Sequence, residues 1–235
     1  MRQIVLAVFA FLVIFPMTSQ GQEVRVTMRV DWERVREAVE KKPQYIKELV
    51  SRLSANEIDT TMTWNERILA YYGQSFLTPN TELSEGVELD KLRNEKKYEE
   101  CLAKAKDVLQ TNPVSLKALY NAVISITMML KDTTGHHEVS REEGQVYFHR
   151  MSRILNTIAK TGDGTEEKPF YVTAVSDEYI FMNFYLEIGD TGKQYMTDRF
   201  DVFELKETSK YYSNPKIYFD ITRVLEIERG LFENK

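Results

Sequence analysis

Apolar residues change their spacing once along this chain. Up to about residue 160 they recur every three to four positions, as on one face of a helix. Beyond Pro169 they alternate with period two, as in a strand with one buried side. The pattern predicts an α+β fold: a helical region over residues 22–164 and an antiparallel β-meander over 165–235, packed together as one unit.

Within the helical region, Asp31 is placed to cap a helix over 32–40, and Pro43 opens a second that carries Ile46, Leu49, Val50 and Leu53. Thr63 caps a third, in which Trp64, Ile68, Tyr72 and Phe76 stand four apart. That stripe assigns Trp64 and Tyr72 to the core. Residues 77–88, with Pro79, Asn80 and Gly86, read as a loop. The most regular stretch follows: Tyr98, Cys101, Leu102, Ala105, Val108 and Leu109 form one seam, ended by Asn112-Pro113. Ser115 caps its partner, whose stripe is Leu119, Val123, Ile126, Met129 and Leu130, with Ala118 and Ala122 allowing close approach. This hairpin resembles about one tetratricopeptide (TPR) unit, so TPR-like packing is expected within the helical region. A last helix carries Tyr147, Met151, Ile154 and Ile158, with Gly162 placed as its left-handed cap.

Strands are expected over 170–175, 179–188, 195–205 and 216–227, joined by short turns. In the second, Ile180, Met182, Phe184, Leu186 and Ile188 form an apolar face for the helices. Tyr179, Phe181, Asn183, Tyr185 and Glu187 form the outer face. In the third, the apolar parity slips from Phe200 and Val202 to Phe203 and Leu205, which predicts a bulge near Val202. Residues 23–30 also alternate and are a candidate extra edge strand.

The N-terminus adds a destination. Arg2, the apolar run 4–15, Pro16 and the small polar stretch 17–21 have the order of a secretory signal, with Ser19 and Gly21 placed for a cut before Gln22. The run is shorter than the roughly 20 residues a membrane span requires. The single cysteine, Cys101, is far from the cut, so no lipobox cysteine is present. A soluble periplasmic or secreted protein, not membrane-spanning after cleavage, is expected. Without Arg2 the 31 basic residues become 30, against 36 acidic ones, which disfavours nucleic acid as a partner. One cysteine builds no disulfide framework, and Cys101 on an apolar helix face reads as a small buried hydrophobe.

Candidate chemistry is sparse. His136, His137 and Glu138 are potential metal ligands, but a helical His-Glu-x-x-His would need a second His where Arg141 stands. They read as a solvated loop, and His149, opposite the apolar stripe of its helix, is expected to face water. No metal site, cofactor or catalytic residue is assigned. No Gly-x-Ser-x-Gly elbow supports a serine hydrolase, and Gly162-Asp163-Gly164 lacks a P-loop lysine and the acids of an EF-hand. Glu178, beside Asp177 at the expected hairpin, has the chemistry of half an acid/base pair, although an exposed turn acid is the commoner reading. Aromatic residues offer flat apolar faces with polar tips for a peptide or glycan. The candidate binding residues are Tyr71, Tyr72, Tyr120, Glu178, Tyr179, Asn183 and Tyr185.

Several landmarks occur together: Met62-Thr63-Trp64, residues 69–76 (LAYYGQSF), Asn112-Pro113, Thr161-Gly162-Asp163-Gly164, Glu178-Tyr179, Asn183-Phe184 and Asp201-Val202. In order and spacing they resemble the domain of unknown function 4919 family over roughly residues 30 to 228. The resemblance implies an exported bacterial protein, mostly of Bacteroidetes, in the envelope or secreted. It implies no reaction. Tyr71-Tyr72-Gly73 and Glu178-Tyr179 sit where the family carries Tyr-Tyr-Gly and Glu-Tyr. The chain departs at Leu77-Thr78-Pro79-Asn80, where the family has a Tyr-rich Asn-Pro-Tyr stretch. The expected function is a non-catalytic module presenting a surface to another envelope protein or peptide. The rivals are a hydrolase or carbohydrate-processing enzyme using Glu178 with a second carboxylate, and a small-ligand binder between helices and sheet.

Overall fold

A computed structural model describes residues 26–78, 81–135 and 137–233, without the side chains of 81–84 and 231–233. The export leader read in residues 1–21 and His136 lie outside the described residues.

Among the described residues seven helices come first: α1 Trp32–Lys41, α2 Pro43–Ser54, α3 Trp64–Leu77, α4 Thr81–Asn94, α5 Tyr98–Thr111, α6 Leu116–Lys131 and α7 Arg141–Thr161. Local chemistry fixes their starts. Asp31, Thr63, Ser115 and Ser140 each accept a backbone N–H of the first turn. Glu66 completes a capping box by accepting the Thr63 N–H at 2.7 Å. The α5–α6 hairpin forms as its facing stripes require, with Cys101, Ala105, Leu119, Ala122 and Val123 fully buried between them and their neighbours. Helix α6 is enclosed by α4, α5, α7 and a later helix, which is why its apolar positions go nearly all the way round.

The second half contributes β1 Phe170–Tyr171, α8 Val175–Phe184, β2 Thr191–Met196, β3 Phe200–Leu205, β4 Lys216–Asp220 and α9 Thr222–Glu233. The strands form one mixed sheet in the order β1-β4-β3-β2. β1 runs parallel to β4, with Phe170 opposite Phe219. β4 and β2 are antiparallel to β3. Helix α8 lies between the sheet and α6: Phe181 meets Phe170 and Phe219 at 4.7 and 6.2 Å, Tyr179 meets Phe203 at 5.4 Å, and Phe184 meets Tyr120 at 5.4 Å. Tyr72 of α3 joins helices to sheet by donating to the Tyr171 carbonyl at 2.8 Å.

The α+β class holds, and several local expectations are corrected. Residues 179–188 form no strand: most of them belong to α8. Flanked by sheet on one side and α6 on the other, α8 buries Phe181 as well as Ile180, Met182 and Phe184, so its apolar run mimicked an alternating strand. The sheet is mixed, not an antiparallel meander, because β1 returns beside β4. Residues 195–205 are two strands and a turn, and the pairing irregularity falls between Thr191 and Gln194, not near Val202. β3 is central and buried on both faces from Phe200 to Phe203, which erased the parity. Residues 216–227 stop being strand at Asp220, whose Oδ1 accepts the Thr222 N–H at 3.1 Å and starts α9.

Residues 81–94, partly read as loop, are helical, with Leu89 as the deeply buried anchor and no clear stripe to announce it. Residues 26–30 form no strand; the Met28 N–H instead reaches the Lys160 carbonyl at 2.9 Å. Gly162 is extended, not left-handed. A Cβ there would lie 2.0 Å from the Pro169 carbonyl oxygen, so close approach requires the glycine. The left-handed residue is Gly164, at φ 81°.

Candidate functional site

The N-terminal turn of α8 gathers the acids. Ala174, at the N-cap, has no side chain able to accept, and Asp177 three residues on supplies the acceptor. Its Oδ2 takes the Ala174 N–H at 3.1 Å, the Thr173 N–H at 3.2 Å, the Thr173 hydroxyl at 3.0 Å and the Tyr71 hydroxyl at 2.7 Å. Burial pushes the Asp177 carboxyl above its usual value, while the bonds from Tyr71 and Thr173 pull it back. Burial, with Asp177 beside it, drives the Tyr71 phenol well above 10.0. Tyr71 is therefore a neutral donor that fixes the turn 173–174, not a surface aromatic.

Glu178 points the other way, toward the sheet. Expected at an exposed turn, it is 0% exposed inside α8. Neither of its carboxyl oxygens receives a hydrogen bond from an N–H or O–H group. Asp201 on β3 faces it, and burial first, then Asp201, raises the Glu178 carboxyl well above the usual 4.5. Asp201 is itself buried: its Oδ2 accepts from Gln194 Nε2 at 2.7 Å, and its Oδ1 receives no such donor. The chain continues outward, since the Tyr179 hydroxyl donates to Gln194 Oε1 at 2.7 Å. The partner carboxylate that the sequence left unassigned is thus Asp201. The pair is enclosed, with no surface of Glu178 offered to a substrate.

The other candidates scatter. Tyr72 is buried, as the aromatic stripe requires, but Trp64 from the same stripe is 39% exposed at the start of α3, with Arg67 and Lys160 over its ring at 5.1 and 5.5 Å. Tyr120 is half-buried between Phe184 and Arg93. Asn183 donates back to the Tyr179 carbonyl at 2.7 Å, and Tyr185 stacks on Phe181 at 4.9 Å. Tyr179 alone of the seven is exposed. His137 bridges Glu99 at 2.8 Å and Asp132 at 3.2 Å, and those partners raise its imidazolium above the ordinary 6.5. His149 is half-buried, where a solvent-facing position was expected. Cys101 is buried, its thiol pushed up by burial, with Sγ 3.6 Å from the Leu89 carbonyl. Among the described residues no group of three His, Cys, Asp or Glu is placed to hold a metal.

A groove missed at the level of sequence lies on the far side of the 173–174 turn. Gly86, Val87 and Asp90 of α4, Lys117 of α6, residues 173–176 and Val224, Ile227 and Glu228 of α9 enclose about 200 Å³. Its lips are apolar, with Val87 71% and Val175 43% exposed. Lys117 is bound to Asp90 on one flank at 2.5 Å. The cue in the sequence was Val87 and Val175, two valines that fit no buried stripe.

An enclosed carboxyl pair at a helix–sheet junction and a separate apolar groove are the two features that set this α+β protein apart among its described residues. Residues 33–229 match the domain of unknown function DUF4919, and the chain belongs to that family. No curated protein and no solved structure is detectably similar to it. Among the described residues no helix is long and apolar enough to cross a membrane.

Proposed function

We propose that this chain is an exported, non-catalytic module that binds a protein or peptide of the bacterial cell envelope in the groove between α4, the 173–176 turn and α9. The observation that carries the reading is the exposure of Val87 and Val175 beside Val224 and Ile227. Two β-branched apolar side chains held open on rigid elements favour an apolar side chain of a partner, and contiguous apolar surface of this kind is the usual mark of an interface. The TPR-like α5–α6 hairpin supports the same reading, with α6 supplying Lys117 to the groove. The leader sequence supports export. The Tyr71–Asp177 network serves this reading by holding the turn that forms one wall.

A photo-cross-linking residue at 87 or 175, introduced into the exported protein in intact cells, tests the groove. A discrete adduct from both positions, absent from a probe at the equally solvent-facing Ile58, supports it. Equal labelling at position 58, or no adduct from 87 and 175, refutes it.

A further inference from the structure

We infer that the buried Glu178 carboxyl keeps its proton at neutral pH and donates it to the facing Asp201, and that this proton latches α8 to the β2–β3 hairpin, so that the latch loosens as the pH rises. Three buried carboxyl oxygens carry the inference: both of Glu178 and Oδ1 of Asp201, none of which meets an N–H or O–H donor. Facing acceptors repel unless one of them carries a hydrogen, and a single proton on the pair turns the contact into an O–H···O bond.

The surroundings supply no other relief. From α3 comes the neutral Tyr71, whose hydroxyl already serves Asp177. From α8 itself come Asp177 and Tyr179, from β2 the neutral Gln194, and from β3 Asp201. β4 and α6 face α8 with Phe219 and Tyr120. The charges that act on Glu178 are those of Asp201 and Asp177, both acids, and no cation among the described residues offsets them. Losing the shared proton leaves two carboxylates side by side away from water, where their repulsion is far stronger than at the surface.

The hairpin is the side that gives. β2 is an edge strand, exposed along most of its length, with its register broken between Thr191 and Gln194. α8 is held instead by Tyr71 through Asp177 and by Tyr120 through Phe184. Separation would release the Tyr179–Gln194 bond and uncover Phe203, now fully buried under Tyr179. The sign follows from linkage. Glu178 is protonated more readily in the folded chain than in the unfolded one. Its stabilisation is therefore complete below the ordinary 4.5 and is lost as the pH climbs through the raised folded value.

Carboxyl infrared spectroscopy and amide exchange on the mature chain test this. At neutral pH the wild type is expected to keep a protonated-carboxyl band that Glu178→Gln lacks. Between about pH 5 and about pH 8 its melting temperature is expected to fall more steeply than that of Glu178→Gln, in which the His137 contribution is still lost. After correction for intrinsic exchange, amides of 176–196 should open more than about tenfold faster at the upper pH, with α7 unchanged. Asp201→Asn, which removes the facing acid and offers the Glu178 carboxylate an N–H donor but leaves its burial, should lessen the slope if the Gln variant does not fold. A wild type without the band at neutral pH, or variants that keep the wild-type slope, would overturn the inference.

Discussion

Removing one oxygen atom from Tyr71 measures how firmly α3 holds the turn before α8. In Tyr71→Phe the ring stays, with its edge contact to Tyr72 at 4.8 Å, and only the 2.7 Å bond to Asp177 and the 3.3 Å contact from the Thr173 hydroxyl are lost. A hydrogen bond to a charged group contributes about 1.5–3 kcal/mol. Asp177 Oδ2 retains three other donors, from Thr173 and Ala174, which places the loss near the lower end, about 2 kcal/mol. For a chain of this size that is a fall of about 4–8 °C in Tm. The companion Tyr72→Phe loses a neutral bond to the Tyr171 carbonyl at 2.8 Å and should cost about 1 kcal/mol. Urea unfolding of both, at constant m, supplies the comparison. If Tyr71→Phe costs no more than Tyr72→Phe, Asp177 is not the charged hub of this turn and the reasoning fails.

Gly162→Ala should destabilise by more than about 3 kcal/mol or fail to fold, because its Cβ would sit 2.0 Å from one backbone oxygen and 2.4 Å from another. Gly86→Ala, mid-helix with its nearest neighbour at 3.9 Å, should instead raise stability by about 0.5–1 kcal/mol, and thermal melts of the two should move in opposite directions. Cys101 should ignore a thiol reagent until the chain unfolds, so native labelling as fast as denatured labelling would contradict its burial. His137 should titrate above the ordinary 6.5 by NMR, its tie to Glu99 and Asp132 complete below 6.5 and lost as the pH rises through the raised folded value; Glu99→Gln should lower that value.

Helices announced themselves in the sequence where a cap and a one-sided stripe coincided. The Thr63 cap, and Ser115 with the Leu119 to Met129 stripe, both appear in the structure where the spacing placed them. Failures cluster where an element is covered on more than one side, or on none. α8 is wrapped by sheet and helix, so its apolar residues follow no helical stripe, and β3 is buried on both faces and lost its alternation. α4 fails for the opposite reason, since Leu89 is the one deeply buried hydrophobe among its described side chains and Gly86 in mid-helix reads as a breaker. The parallel β1–β4 pairing joins residues about fifty apart, and local periodicity carries no information about such a contact.

The same reassignment decided the chemistry. With 179–188 read as a strand, Asp177 and Glu178 fell on a hairpin turn, where acids are solvated and interchangeable. As the first turn of a buried helix they are separated by the helical rotation into two jobs. Asp177 faces back along the chain and organises a turn through four donors, whereas Glu178 faces Asp201 with none. Adjacent carboxyls thus meet opposite electrostatic environments, one satisfied by hydrogen bonds and one dependent on a proton. Sequence alone offered Glu178 as a candidate without its partner, because Asp201 lies on another strand and is brought opposite only by the packing of α8 on the sheet. What the fold makes of Glu178 is a conditional contact between two layers, and its condition is the acidity of the surrounding solution.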